Sequence, residues 1–365
     1  MANPLPQRID VHSHFLPPFY RDALVATNNS KPDGMPAIPP WSPSAHREMM
    51  QAVNVRKAIL SISSQGTHLW PSDPTARKNL ARECNAYAAG MTTTYPGEFG
   101  FWASLPLPNV EDALAEIERA REEGADGFGL MTNYHGVYVG DEKLDPVFDR
   151  LNEIGATVFL HPDAPCMAGL NASTGVDDAG VTGALPFRDR YPIPIFEFLF
   201  DTSRAVINLF YSGTVDRCPN IKFIIPHVGG TLPPLITRFT AFGSLVPGVK
   251  PLDGERVRKQ MQDQFYFDLA GTIFDGESGG RGQLKAFVEG WDISHEMLLY
   301  GSDFPFTNAR AAELLANRMK DGLEHLFNEE ERRAIYEENG KRLLARTGND
   351  IRREMAVERN QKCTL

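Results

Sequence analysis

The sequence predicts a (β/α)8 barrel of the α/β class, with parallel strands alternating with helices. Three observations predict it. Short, nearly uninterrupted apolar runs recur along the chain, as expected of parallel strands buried on both faces. Segments with apolar residues at three- and four-residue spacing lie between them. No glycine-rich phosphate turn follows the first run, which leaves an open doubly wound sheet as the second choice.

The elements follow in order. RIDVH (8–12) reads as the first strand, and PSAHREMMQAV (43–53) as the helix after it. KAILSIS (57–63) and TARKNLARECNAYAAGM (75–91) form the second pair, FGFWASL (99–105) and VEDALAEIERAREEG (110–124) the third. The helix at 110–124 has acidic residues in its first turn and Gly124 at its end, both ordinary helix punctuation. DGFGLMT (126–132) precedes the helix at 145–155, and ATVFLH (156–161) precedes the helix at 194–213. IKFIIPH (221–227) with 232–243, FYFDLA (265–270) with 282–290, and MLLYGS (297–302) with 310–322 complete eight units. FYFDLA also suits an alternating edge strand. A last helix covers roughly 328–346. Two Pro/Gly-rich stretches, 16–43 and 162–193, break the rhythm after strands one and five. Long loops at strand ends are expected to act as lids, so the chain is read as one barrel domain over 1–365 with two lid insertions.

Composition limits the function. Apolar residues make up 42% and charged residues 23% of 365, the balance of a soluble globular protein. The formal charge of −10 argues against a nucleic-acid binder. No apolar stretch is long enough to span a membrane, and the N-terminus lacks the apolar core of a signal peptide. Cys84, Cys166, Cys218 and Cys363 are scattered without a CxxC pair, which fits a reduced, cytoplasmic setting.

The chemistry-bearing residues sit at strand ends. His12 and His14 close strand one, His161 closes strand five, His227 closes strand six, and Asp303 closes strand eight. Residues two apart on a strand point the same way, so His-x-His aims two imidazoles at one place. With His161 and Asp303 they make a set of three nitrogens and one oxygen, suited to zinc or manganese. A cation would offset the cost of ending an apolar run on the buried carboxylate of Asp303. His227 is then read as a proton carrier or a donor to a substrate oxygen. His68, after strand two, is a candidate substrate contact. Phe15, Trp70 and Phe304 are candidate walls of a ring pocket. His46, His135, His295 and His325 read as solvated.

IDVHSHFLPP, FLHP, IIPHVGGTLPPLITRF and LLYGSDFPF together resemble the amidohydrolase-related decarboxylases typified by aminocarboxymuconate semialdehyde decarboxylase. The resemblance spans about residues 8–346. Within that family the stretches HSHFLPPFY, DGMPAIPPW and FGFWASLPLP are most similar to fungal 6-methylsalicylate decarboxylases. The resemblance implies that His12, His14, His161 and Asp303 are metal ligands and that His227 and Asp303 are catalytic. It implies that Arg47 binds substrate carboxylate and that Arg238 also contacts substrate, in some relatives reaching the neighbouring subunit's site. No lysine ends strand four, in LMTNYHG, so one divalent ion is expected, Zn2+ ahead of Mn2+. A homodimer is the family expectation. The implied reaction is non-oxidative decarboxylation of an ortho-hydroxy aromatic acid, with 6-methylsalicylate giving 3-methylphenol and CO2. The alternative is a hydrolase, in which the same ion activates water against an amide, ester or lactone.

Overall fold

The structure, a computed structural model, describes residues 5–166, 191–248, 251–274 and 283–345. Cys363 and residues 167–190 of the second insertion lie outside the described residues. Eight strands form one sheet: β1 Arg8–His14, β2 Val55–Ser61, β3 Phe99–Ser104, β4 Gly127–Met131, β5 Thr157–His161, β6 Lys222–Ile225, β7 Phe265–Asp268 and β8 Leu298–Leu299. They pair in chain order and every pair is parallel, so FYFDLA is an interior strand and not an antiparallel edge. Backbone bonds from Val11 N to Tyr300 O (3.1 Å) and from His14 N to Phe304 O (2.7 Å) join the last strand's continuation to the first. The sheet thereby curls into a barrel with helices outside it. Among the described residues no helix is long and apolar enough to cross a membrane.

Two kinds of helix escape the apolar pattern. Gly254–Gln264 buries Val257 and Met261 but is otherwise strongly polar, and Asp253 caps it by accepting from Glu255 N and Arg256 N. Pro18–Ala26 lies inside the proline-rich first insertion. A two-residue hairpin, Asn133–Tyr134 with Val137–Tyr138, also follows β4. The C-terminal helix begins at Glu329 behind an Asn328 capping box and contains a π turn at Ala334–Glu338.

The barrel interior is a layer of side chains that includes Ile9, Val11, Ile59, Trp102, Phe159, Ile224, Tyr266 and Leu299. Gly127 makes room for Trp102, because a Cβ there would lie 2.9 Å from Trp102 Cζ3 and 2.4 Å from Thr157 O. The register of β1 shifts between Asp10 and Ser13. Such a bulge re-aims the chain, so Val11 and His12, although adjacent, both reach the barrel interior. Val11 O, turned inward by the same bulge, accepts from Trp102 Nε1 at 2.8 Å. The apolar layer therefore supports the residues above it, with the Phe159 ring 4.9 Å from the His12 ring.

Candidate metal centre

The bulge in β1 brings His12 and His14 to one point. Their Nε2 atoms lie 3.2 Å apart. Asp303 Oδ1 is 3.2 Å from His14 Nε2 and 3.5 Å from His12 Nε2. With His161, these residues offer four donor atoms that all lie within 4.8 Å of one another. A tetrahedral ion with bonds of about 2.0–2.1 Å spaces its ligand atoms about 3.3 Å apart, so the spacing suits one ion.

The outward nitrogen of each imidazole is occupied. His12 Nδ1 meets Asp268 Oδ2 at 2.9 Å, His14 Nδ1 meets Ser61 Oγ at 2.9 Å, and His161 Nδ1 donates to Pro162 O at 2.8 Å. Holding one ring nitrogen this way fixes the ring and leaves Nε2 for the centre. Electrostatics favour a cation there. Burial opposes a charge on His12, yet Asp268 and Asp303 outweigh it and push its pKa up to about 10. Burial and the charge on His12 hold His14 low, and burial with the neighbouring imidazoles holds His161 well below the usual histidine range. Imidazoles held low in pKa beside the Asp303 carboxylate form a ready donor set, and the residues fit a divalent ion.

Asp268 was not singled out from the sequence, although FYFDLA ends an apolar run on a carboxylate as LLYGSD does. Its Oδ1 accepts from His227 N and Ala270 N, each at 3.1 Å, so one carboxylate orients both His12 and His227. Asp10, also missed, accepts from His12 N (3.1 Å) and Ser302 N (3.0 Å) and ties β1 to the loop that carries Asp303. Burial raises the Asp10 pKa to about 7. Asp268→Asn is expected to weaken metal binding by about 10–100-fold. Chelator competition measures it, and an unchanged affinity would remove Asp268 from this role.

His227 and Asp303 share an uncommon backbone state, with φ of 54° and 58°. Non-glycine residues in this region are held there against about 1–3 kcal/mol, and such positions gather at functional sites. Asp303 is locked by its N–H to His12 O (2.8 Å) and by Thr307 N to its own carbonyl (2.8 Å). Both residues, with His161, line a cavity of about 440 Å3. Burial, then the charge on His12, lowers the His227 pKa, which favours a neutral ring.

Several expected site residues are not among the described residues that line the cavity. Arg47 is captured by Glu98 through bonds of 2.8 and 3.1 Å and stacks over Tyr95. Glu98 precedes β3, at the rim opposite the strand ends that carry the histidines, and Arg47 is not among the described residues that line this cavity. Arg238 is exposed on the helix Leu232–Phe242 and packs over the Phe242 ring at 4.2 Å. His68 is buried with its Nε2 3.0 Å from Asp163 Oδ2, and it is not among the described residues lining the cavity. Phe15 stacks against Tyr87, Phe304 packs on His46, and Trp70 packs on the core. Phe198 and Phe306 wall the cavity instead. His46, expected in solvent, is fully buried and accepts from Trp41 Nε1 at 3.1 Å; burial lowers its pKa to about 3. His135 is half-buried beside His68.

Comparison with known proteins adds to this geometry. A family model described as amidohydrolase matches residues 9–346. Decarboxylase yanB of Aspergillus niger is 34% identical over 347 residues, covering 93% of this chain and 88% of the relative. The 6-methylsalicylic acid decarboxylase of Penicillium expansum is 35% identical over 302 residues, covering 82% of this chain and 85% of its own. A crystal structure of dihydroxybenzoic acid decarboxylase from Polaromonas sp. JS666, with bound manganese and 2-nitroresorcinol, matches with a TM-score of 0.73. It covers 93% of this chain and 97% of that one, and at 19% identity it speaks to the fold.

Proposed function

Because the chain belongs to the amidohydrolase family, we propose that it is a metal-dependent carboxy-lyase acting on an ortho-hydroxy aromatic acid, with 6-methylsalicylate giving 3-methylphenol and CO2 as the reference reaction. The observation that carries this reading is the meeting of His12, His14, His161 and Asp303 beside a cavity of about 440 Å3, a size suited to a small ligand. Its wall is mainly apolar, with no lysine or arginine among the described lining residues.

Direct loss of CO2 would leave an aryl carbanion in the ring plane, where the π system cannot stabilise it. Protonating the carboxyl-bearing carbon first avoids that state, and an ortho oxygen makes this carbon electron-rich. His12, His14, His161 and Asp303 would hold a divalent ion, which when bound would supply Lewis-acid polarisation of the substrate's oxygens. Asp303 or His227, both at that end of the cavity, would take up the proton that the ortho hydroxyl loses and pass it to the ring carbon. The bond to the carboxylate then breaks, its electron pair restores the aromatic ring, and CO2 departs. Phe198 and Phe306 wall the ring and limit water.

Zn2+ is the assigned ion and Mn2+ the second choice; the N3O donor set supports both. Exposed Phe242 and Leu245 near Arg238 support a homodimer, and the buried thiols of Cys84 and Cys218 support a cytoplasmic setting. The chain is taken as one barrel domain whose insertions at 16–43 and 162–193 serve as lids. The test is incubation of metal-loaded protein with 6-methylsalicylate and, separately, with a lactone panel. Equal amounts of CO2 and 3-methylphenol are expected. Lactone opening without CO2 release from the acid would favour the hydrolase instead.

A further inference from the structure

The cavity contains an acid that decarboxylation does not use. Asp33 lines the same cavity as His161, His227 and Asp303. It lies in the turn Pro32–Gly34 of the first insertion, with φ of 54°. The turn is wedged in place, because a Cβ on Gly34 would lie 3.3 Å from Pro192 Cα. Asp33 is only 7% exposed, and Gln65 Nε2 donates to its Oδ1 at 2.9 Å. Burial, then the neighbouring Asp163, raises its pKa to about 7. Met35, Ile195, Phe198 and Leu199 make much of the surrounding wall apolar.

A carboxyl group in such a wall is tolerated while water reaches it. A ligand that fills the cavity displaces that water. A methyl or ring C–H set against Asp33 leaves its oxygen without a donor, whereas a hydroxyl supplies one. Resting on the decarboxylase reading, we propose that Asp33 determines specificity by accepting a hydrogen bond from a second ring hydroxyl. The preferred substrate is then an aromatic acid bearing a hydroxyl in addition to the ortho one, and 6-methylsalicylate is the weaker member of the class.

The experiment uses the metal-loaded full chain, wild type and with Asp33→Ala or Asp33→Asn. Calorimetry compares binding of 3-methylphenol with that of 5-methylbenzene-1,3-diol, which differs by one hydroxyl. Turnover of 6-methylsalicylate is compared with that of 2,4-dihydroxy-6-methylbenzoate. Wild type is expected to favour the dihydroxy member of each pair by about tenfold, the scale of one buried hydrogen bond. Asp33→Ala should bring both ratios close to one, and Asp33→Asn, which keeps a carbonyl acceptor, should restore part of the preference. Equal wild-type affinities, or a loss that falls equally on both members of each pair, would overturn the assignment. If the diol preference depends on Asp33 while neither acid releases CO2, the role of Asp33 stands and the decarboxylase reading fails alone.

Discussion

Replacing His12 with alanine is expected to strip the ion from the purified protein and to lower kcat/KM by at least about 10³-fold. His12 is fully buried, and its Nε2 lies 3.2 Å from His14 Nε2 and 3.5 Å from Asp303 Oδ1. Its removal takes one donor from the centre and leaves Asp268 buried without its imidazole partner. Because an unpaired buried charge also destabilises a fold, Asp303→Asn is the companion variant. It keeps the shape of the side chain and removes the charge that draws a cation to three imidazoles. Elemental analysis beside a CO2 assay checks both. Full turnover by a variant that holds no metal would contradict the ligand assignment.

His227→Asn is expected to give the opposite pattern: the ion stays and kcat falls by about 10²–10⁴-fold, the usual contribution of a positioned acid or base. Asparagine is a suitable replacement because it tolerates the left-handed backbone state that His227 occupies at φ 54°. The His227 N–H to Asp268 is a backbone bond and survives the change. A loss of rate therefore reports the missing imidazole and not a disturbed loop. Unchanged kcat with unchanged metal content would reduce His227 to a structural role.

The barrel was legible because each strand is an apolar run set between amphipathic segments, and parallel burial imposes that pattern directly. The helix Gly254–Gln264 was not legible, since its packing needs only Val257, Met261 and Gln264 among many charges. The four donors were legible for a related reason: polar residues ending apolar runs stand out. Asp268 carries the same mark and could have been read from it. The ring-pocket residues could not be placed from spacing alone. Which loop side chains reach a cavity depends on the loop's path, and Phe198 comes from the helix after β5 while Phe306 comes from the segment after β8. Arg47 shows a different limit. Its pairing with Glu98, 51 positions away, is a contact between distant segments, and no local pattern announces it.

The barrel sequence also explains why the centre sits where it does. The bulge in β1, the turn after β8 and the carboxylate of β7 meet around His12, so three separate elements fix one imidazole. Such redundancy is what a preorganised site requires, because a donor displaced by 1 Å no longer serves the ion.

X-ray absorption at the metal edge of the purified protein tests this account most directly. The expected spectrum shows one ion per chain with about four nitrogen and oxygen neighbours near 2.0–2.1 Å and the outer-shell pattern of several imidazoles. A sulfur shell near about 2.3 Å, or an ion with no imidazole scattering, would contradict the claim that His12, His14, His161 and Asp303 share it.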